Sequence, residues 1–220
     1  FRHSFVRFSA SKEKIVILGG GDTARKTIDI IKRDKLFNIV GYYNIKNTLK
    51  KIKFLGNFSK FYKENFDSEK VNFVPALGGR ADLLKVRTNF IKVIIKKKLK
   101  TPKIISRRAS IHKRAKIEKG TIIFDNVFVD LEVKIGAFSF INIGSTICHD
   151  AILGKNVIIS PKTLIDGRCI LKDNIFVGSN VVINPKVKVA ENVIIGSQSN
   201  VLRDIKKKGL YFGNPVKKIR

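Results

Sequence analysis

Aliphatic residues recur at every sixth position through the second half of the chain. The series runs without a break through Ile111, Ile117, Ile123, Val129, Ile135, Ile141, Ile147, Leu153, Ile159, Ile165, Leu171, Val177, Ile183, Val189, Ile195 and Val201. The residue four places after each is mostly small or β-branched, as at Ala115, Thr121 and Cys169. A stride of six predicts short strands that form triangular coils, because one such strand cannot bury its apolar face alone. Fifteen hexads predict a parallel β-helix of about five coils, with residues eighteen apart stacked; a sandwich of period-2 strands would not keep this stride.

The first half of the chain has a different pattern, in which short β-type runs alternate with helical ones. The β-type runs are IVIL at 15–18, NIVGYY at 38–43 and VNFVPA at 71–76, and the helical runs lie at 23–34 and 81–97. Strands that alternate with helices indicate βαβ units and a parallel sheet. This part therefore predicts a small Rossmann-like α/β domain.

The length allows both parts to form cores. A chain of 220 residues can hold one large domain or two small ones. We expect the α/β domain over residues 14–100 and the β-helix, with a closing segment, over residues 101–220. Residues 1–13 are expected to be a disordered tail or a remnant of the expression design, and no function is assigned to them.

The charge balance is strongly basic and favours anionic partners. Lys and Arg number 45 against 17 Asp and Glu, which gives a formal net charge of +28. Twelve of the basic residues and one acidic residue lie at 91–119. Seven further basic residues and one acidic residue lie at 202–220. A nucleic-acid-binding or scaffolding β-helix is one alternative, but the coils lack the interleaved aromatics of a stacking platform. Phosphorylated small ligands are the expected anions, and a nucleic-acid partner is disfavoured.

Cysteine content and hydropathy bear on the compartment. Cys148 and Cys169 stand in neither CxxC nor paired-ligand spacing, which gives no support to a disulfide framework or a zinc site. No apolar run reaches the ~18–20 residues of a membrane span. We expect a soluble protein in the reducing cytoplasm.

Two segments connect these features to a known family. INIGSTICHDAILGKNVIISP at 141–161 and YFGNPVKKI at 211–219, behind a Rossmann-like domain, resemble the NeuD/PglD-like sugar O/N-acetyltransferases over roughly residues 14–220. The resemblance implies a left-handed β-helix and a homotrimer with active sites between subunits. It also implies acetyl-CoA as acyl donor and a nucleotide sugar or sugar amine as acceptor; no metal is expected, because the cysteines and histidines lack the spacing of a ligand set.

His149 is the candidate catalytic base, with Asp150 as its orienting partner. Acetyl transfer from a thioester needs a base near neutral pH, and histidine titrates in that range. The alternative is a turn histidine without catalytic function. A dyad of His149 with Cys148 is disfavoured, because adjacent strand residues point to opposite faces. A metal site like that of the γ-class carbonic anhydrases needs three converging histidines, and only one of the three present lies well inside the coils.

The resemblance implies a set of contacts to acetyl-CoA. Gly167, eighteen residues after His149, would offer a backbone N–H to the thioester carbonyl; without the resemblance it is equally a turn glycine. Ser179 and Ser197 would line the coenzyme channel, and Asn214 belongs to the closing segment. Ile158 stands where the family often has a second histidine. Lys206, Lys207 and Lys208 could meet the 3′-phosphate or simply be solvated.

The acceptor side departs further from the family. Gly19 to Ala24 fits G-x-G-x-x-A, but Tyr42, Tyr43 and Asn44 stand where an acid would bind the ribose of NAD, so NAD is disfavoured. The candidate substrate-binding residues are Gly21, Asp22, Thr23, Asn44, Ile45, Gly56 and Arg80. Asp22 would repel a diphosphate and is expected to cap the following helix instead. Gly56 could be a plain turn, and Arg80 is either a phosphate clamp or an unpartnered arginine at a helix start.

The expected function is transfer of acetyl from acetyl-CoA to the amine of a nucleotide-linked amino sugar, in surface-glycan synthesis. An O-acetyltransferase acting on a sialic-acid-like sugar is the alternative, because His149 would serve either reaction.

Overall fold

The computed structural model describes residues 13–67 and 69–219. Except for Glu13, the predicted tail at 1–13 lies outside the described residues. Within those residues, none of the helices has both the length and the apolar content that crossing a membrane requires.

The first part of the chain forms a four-stranded parallel sheet with the strand order β3-β2-β1-β4. Its elements are β1 (Lys14–Leu18), α1 (Asp22–Arg33), β2 (Asn38–Tyr43), β3 (Phe54–Gly56), α2 (Phe58–Lys63), β4 (Asn72–Pro75), a 3₁₀ turn (Ala81–Leu83) and α3 (Leu84–Lys96). The predicted strands and helices are all present. Strand β3 and helix α2 were not predicted, because three and six residues are too short to show a period.

The second part winds through short strands that form three parallel sheets along the sides of a prism. The strands are β5 (Ile104–Ile105), β6 (Ser110–Ile111), β7 (Lys116–Ile117), β8 (Ile122–Ile123), β9 (Phe128–Val129), β10 (Lys134–Ile135), β11 (Phe140–Ile141), β12 (Thr146–Ile147), β13 (Ile152–Leu153), β14 (Ile158–Ile159), β15 (Leu164–Ile165), β16 (Ile170–Leu171), β17 (Phe176–Val177), β18 (Val182–Ile183), β19 (Lys188–Val189), β20 (Val193–Ile195), β21 (Asn200–Val201), β22 (Gly209–Phe212) and β23 (Lys217–Lys218). From β5 to β18, each strand pairs with the one eighteen residues on, as Ile147 does with Ile165. At the end of the helix, β20 pairs with β22 sixteen residues on, and β23 pairs with β22 in the antiparallel direction. We call the side that contains β5 the first, the side that contains β6 the second and the side that contains β7 the third; the second side has six strands, β6 to β21 in steps of three. The eighteen strands from β5 to β22, three to a coil, make about six coils. This is one more than predicted, because the aliphatic series included neither β5 nor β22.

Two side chains of each hexad fill the interior of the prism. From Ile123 to Val201, the predicted aliphatic at every sixth position is at most 2% exposed, whereas Ile111 and Ile117 of the first coil are only partly buried. The small or β-branched residue four places later is buried as well, as at Ala151 and Cys169. The corners are tight because one residue at most of them has a positive φ, for example Asn126 (56°) and Asp150 (59°). Asn, Asp and Gly tolerate this left-handed conformation better than other residues.

One side of the prism is apolar on its outer surface as well. Ile104, Ile122, Phe140 and Ile158 point outward from β5, β8, β11 and β14, yet all four are buried. They form one cluster with side chains of β1, α1 and β4. The outward residues of the third side are exposed and include lysines, as at Lys116 and Lys134. The α/β part therefore packs on the side whose outward residues are apolar in every strand from β5 to β20, so that this contact removes apolar surface from water.

A charged network fixes the end of α1 to the first coils. Arg33 donates to both carboxylate oxygens of Asp125, at 2.8 and 2.9 Å, and to Asp34 at 2.9 Å. Ser106 accepts a further hydrogen bond from Arg33 at 3.0 Å. The Arg33 guanidinium lowers the pKa of both Asp34 and Asp125. This bidentate pairing connects groups ninety-two residues apart and restricts how the two parts can rotate against each other.

We predict that Arg33→Gln lowers the thermal midpoint at neutral pH and flattens the acid side of the stability profile. A carboxyl whose pKa is depressed by folding adds stability that is present above its unfolded pKa of about 3.9 and is lost as the pH falls through the folded value. In the variant, Asp34 and Asp125 lose this contribution. Thermal unfolding measured between about pH 2 and 7 tests the effect. Arg25→Gln, which breaks the exposed pair with Asp22, is the matched control; parallel profiles for wild type and Arg33→Gln would contradict the prediction.

Candidate active site

His149 lies at the corner that leads from β12 to β13, with its side chain about half exposed (47%). Its Nδ1–H donates to Oδ2 of Asp150 at 2.9 Å in the tautomer that leaves Nε2 unprotonated. Asp150 can reach the ring because its positive φ turns the chain at this corner. The pair thus presents an oriented imidazole with a free basic nitrogen to solvent, which is the arrangement that a general base needs.

Gly167 lies one coil above His149 and directly against its ring. A Cβ atom placed on Gly167 would come within 2.6 Å of Nε2 and 2.8 Å of Cε1. The φ of Gly167 is not positive, so only the closeness of the ring requires a glycine here. The predicted stacking of residues 149 and 167 is therefore present in the structure. The Gly167 N–H donates to none of the described backbone or side-chain acceptors, whereas the next amide, of Arg168, donates to the His149 carbonyl at 2.9 Å.

The neighbouring thiol of Cys148 is in an acidic environment. Its Sγ lies 3.9 Å from Oδ1 of Asp166. Burial, together with the charges of Asp166 and Asp130, raises the pKa of the Cys148 thiol. A thiol held in its neutral form is a poor nucleophile, in agreement with the argument against a Cys148–His149 dyad.

The other residues expected at the coenzyme lie on different edges of the prism. Ser179 and Ser197 occupy the corner between the first and second sides, and the Ser197 hydroxyl accepts from the Ser179 N–H at 3.2 Å. Asn214 is exposed in the turn between β22 and β23. Ile158 is fully buried between the β-helix and the α/β part. Within one chain, His149 and Gly167 share an edge, and these four residues lie away from it.

The carboxyl ends of β1, β2 and β4 open into a cleft of about 550 Å³. It is lined by the predicted residues Gly21, Asp22, Thr23, Asn44, Ile45 and Arg80, and also by Phe140 and Asn142 of the β-helix. Ligands of open parallel sheets bind at this edge. The structure therefore brings six of the seven candidate acceptor residues together.

Gly56, the seventh, lies behind the cleft. It has a φ of 150°, and a Cβ there would come within 2.6 Å of the Lys60 side chain. Its carbonyl accepts from the Asn44 N–H at 3.3 Å. Its contacts support the loop that carries Asn44.

The Gly-rich loop has a different function at each glycine. A Cβ on Gly19 would come within 2.5 Å of the Ala76 carbonyl oxygen, and one on Gly20 within 2.5 Å of Asn44 and Thr48. Gly21 has nothing within 4 Å of its Cβ position. The first two glycines therefore allow β1, β2 and β4 to converge, and the third leaves space in the cleft.

The expectation that Asp22 caps α1 is wrong. Gly21 is the N-cap residue, no side chain makes a cap hydrogen bond, and Asp22 is the first helical residue. The Asp22 carboxylate pairs with Arg25 at 3.2 Å in an exposed position. Because Arg25 partly neutralises Asp22 and no carboxylate covers the helix start, the first amides of α1 can still face an anion.

Arg80 has a partner that was not expected. Its Nε and Nη2 donate to the Asp82 carboxylate at 3.0 and 2.7 Å. Both side chains are exposed, so an incoming phosphate could compete for the guanidinium at low cost.

Three further residues of the cleft were missed by the sequence reasoning. Lys26 lines this cleft and also an adjoining groove of about 630 Å³ between α1 and the β-helix, and it makes no ion pair with a described residue. Asn142 lines both cavities as well. The third is Arg87 of α3, which is 1% exposed. In the sequence, Lys26 and Arg87 look like ordinary charged residues on the solvent-exposed face of a helix, so no local pattern marks them as part of a cleft.

Arg87 is a buried cation at the edge of the cleft. It donates to the carbonyls of Pro75, Leu77 and Phe138 and to Oδ1 of Asn156, over 2.6–3.0 Å. No carboxylate pairs with it among the described residues, and burial lowers its pKa to about 10. Uncompensated positive charge here makes the cleft favourable for an anion.

Within residues 13–67 and 69–219, no three His, Cys, Asp or Glu side chains come close enough together to hold a metal ion.

One family of sequences matches part of the chain. The model of the family described as "Bacterial transferase hexapeptide (six repeats)" matches residues 132–167. This segment includes both His149 and Gly167, the two residues that stack at the candidate catalytic corner.

Several solved structures match nearly the whole chain. PerB from Caulobacter crescentus, in complex with CoA and GDP-perosamine, is 19% identical, with 96% of this chain and 100% of that chain covered at a TM-score of 0.84. The acetyltransferase domain of PglB from Neisseria gonorrhoeae FA1090, in complex with acetyl coenzyme A, is 17% identical (95% and 100% covered, TM-score 0.85). WeeI from Acinetobacter baumannii AYE is 18% identical (94% and 100% covered, TM-score 0.80). The fold expected from the sequence is thereby confirmed: the chain carries the hexapeptide repeat of bacterial transferases and has the two-part architecture of PerB and the PglB acetyltransferase domain, a Rossmann-like α/β part followed by a left-handed parallel β-helix.

Proposed function

We propose that this protein transfers the acetyl group of acetyl-CoA to the amine of a nucleotide-linked amino sugar. The observation that carries the proposal is the oriented His149–Asp150 pair, which lies on Gly167 at a solvent-facing corner of the β-helix. The same fold holds CoA and GDP-perosamine in PerB and acetyl-CoA in the PglB domain. The cytoplasm, where both substrates would be available, is the proposed compartment.

His149 would act as the general base. Its Nε2 takes a proton from the sugar amine as the nitrogen attacks the thioester carbonyl, so that a C–N bond forms and the carbonyl π electrons move to oxygen. The tetrahedral intermediate then collapses, the C–S bond breaks, and the CoA thiolate leaves and takes up a proton. Asp150 holds the ring and stabilises the imidazolium that forms between these steps. Because the thioester is already activated, no acyl-enzyme is needed.

Gly167 would serve this reaction in two ways. Its N–H, which has no acceptor among the described residues, can donate to the developing oxyanion. Its missing side chain gives the imidazole the space that it occupies. A thioester carbonyl that accepts from this N–H would therefore lie next to Nε2 of His149.

The acceptor nucleotide would bind in the cleft of the α/β part. The open Gly21, the amides at the start of α1, Lys26 and the Arg87 charge all favour a diphosphate there. The groove that continues past Asn142 leads from the cleft towards the corner between the first two sides of the prism. This groove gives the sugar a way out of the nucleotide site.

The site would be completed by neighbouring subunits in a homotrimer. The cleft lies at the first side of the prism, whereas His149 lies at the far corner of the second side. Ser179 and Ser197, the expected coenzyme contacts, are also on an edge other than that of His149. Packing the edge of one chain against the cleft of another would bring these groups to one acetyl-CoA.

We predict that His149→Ala lowers the rate of thiol release from acetyl-CoA by roughly 10²–10⁴-fold, the usual contribution of a general base. Thiol release is measured with UDP-, GDP-, dTDP- and CMP-linked sugars, which include amine and hydroxyl acceptors. Asp150→Asn keeps the base and should cause a smaller loss with an altered pH profile. Unchanged turnover in His149→Ala would remove the base assignment, and no turnover of the wild type with any sugar would overturn the proposed function.

We predict that Gly167→Ala also abolishes most of the turnover while the β-helix stays folded. The added methyl group would displace the His149 ring, because it would come within 2.6 Å of Nε2. The His149 ring resonances in NMR report this displacement independently of activity. Gly144→Asn is the control: it changes another corner glycine, whose nearest atom to a Cβ is 3.7 Å away and whose φ of 68° suits Asn. Equal activity of Gly167→Ala and wild type would contradict the stacking argument.

We predict that Lys26→Gln raises the KM for the nucleotide sugar by roughly tenfold with kcat unchanged, because a charge-assisted bond to phosphate is lost. Steady-state kinetics at saturating acetyl-CoA measure this. Lys32→Gln changes a lysine of the same helix that lies outside the cleft and should leave KM unaltered. A fall in kcat without a change in KM would argue against phosphate contact.

A further inference from the structure

The two ends of the β-helix are finished differently. At the upper end, residues 202–219 continue past the last coil, and Val201 and Ile205 are at most 4% exposed. At the lower end, β5, β6 and β7 are the terminal strands of their sheets. Among the described residues, no strand pairs with the lower edges of β5, β6 and β7. Two corners of this coil do have partners: the Gly120 N–H donates to the Thr101 carbonyl at 2.9 Å, and the Arg107 N–H donates to Asp34 at 2.8 Å.

This lower end exposes an apolar centre. The inward side chains of the first coil pack against the core but are only partly buried: Ile105, Ala109, Ile111, Ala115 and Ile117. One coil higher, Ile123, Val129 and Ile135 are at most 1% exposed. We call the lower end, with its rim, the basal face.

The rim of the basal face is basic at every corner. The six corner residues of the first coil are Arg107, Arg108, Lys113, Arg114, Lys119 and Gly120, of which five are cations. The six equivalent residues of the second coil are Asp125, Asn126, Leu131, Glu132, Ala137 and Phe138, none of which is basic. The concentration of cations is thus a property of the end of the prism and not of corners in general.

Internal ion pairs leave much of this charge unbalanced. Arg108 lies 3.5 Å from Asp125, but the Asp125 carboxylate is already paired with Arg33. Arg114 pairs with Glu132 at 3.2 Å. Lys113, Lys116 and Lys119 form no salt bridge with a described residue. Charges of either sign would block edge-to-edge pairing of bare strands, so protection against aggregation does not explain why the corners carry only cations.

We infer that the basal face docks on a membrane surface rich in anionic lipids. Cations around a partly exposed apolar centre match the phosphates and the underlying acyl region of such a surface. A second copy placed base to base would bring like charges together. Nucleic acid would satisfy the cations but would leave aliphatic side chains against a charged backbone.

The test is co-sedimentation of the full chain with vesicles of phosphatidylcholine alone or mixed with phosphatidylglycerol. We expect binding only to the anionic vesicles, and weaker binding as salt rises above ~0.15 M. The basal variant combines Arg107→Gln, Lys113→Gln, Lys116→Gln and Lys119→Gln. Its binding should be at least roughly 100-fold weaker than that of wild type, because each cation near an anionic surface contributes a similar amount to the binding free energy. Its thiol release with a sugar acceptor should be unchanged, which separates this inference from the proposed function.

A control variant removes the same net charge from the α/β part through Lys50→Gln, Lys51→Gln, Lys53→Gln and Lys63→Gln. It should bind almost as well as wild type. Equal loss in both variants, or absence of binding by wild type, overturns the inference. The inference is also overturned, in favour of nucleic acid, if wild type binds double-stranded DNA more tightly than vesicles and the basal variant loses that binding. If the basal variant does not fold, hydrogen exchange of vesicle-bound wild type decides: protection must appear at β5, β6 and β7, and its absence there rejects the basal face.

Discussion

The burial of one outward-facing apolar column determines how the molecule is assembled. A hexapeptide coil needs only its inward side chains to form, and the outer surface of each side is free to be polar. On the first side, Ile104, Ile122, Phe140 and Ile158 would leave a continuous apolar strip in water. Covering that strip with β1, α1 and β4 removes it from solvent at a gain of about 25 cal/mol for each Å² buried. The position of the cleft relative to the prism follows from this contact.

Hydrophobic burial alone would not fix the position of the α/β part along the β-helix, because apolar contacts have little dependence on orientation. Hydrogen bonds at the two margins of the strip fix that position. On one margin Arg33 donates to Asp125, and on the other Arg87 donates to the Phe138 carbonyl and to Asn156. A buried arginine that pairs with carbonyl oxygens instead of carboxylates keeps its positive charge unbalanced. The group that joins the two parts therefore also makes the acceptor cleft electropositive.

The excess of positive charge serves different purposes at different places. In the cleft, a few cations face a cavity of the size that a nucleotide sugar needs, and Arg25 offsets the charge of Asp22. On the basal face, cations surround a partly exposed apolar centre at the end of the coils. The first geometry suits a small phosphorylated molecule and the second an extended anionic surface, so net charge by itself could not have separated these ligands.

The sequence by itself determined the coils of the β-helix, the longer strands and helices of the α/β part and the candidate base, because those features repeat or are local. A stride of six is visible through sixteen aliphatics, and stacking follows from the coil length, so Gly167 could be placed next to His149 before any coordinates. Contacts between distant segments leave no such trace. The burial of Ile158 and the contact of Arg87 with Asn156, sixty-nine residues apart, were decided only by the tertiary structure. Both depend on which side of the prism the α/β part covers, and that choice is made by the summed burial of side chains eighteen residues apart, which no short window of sequence displays.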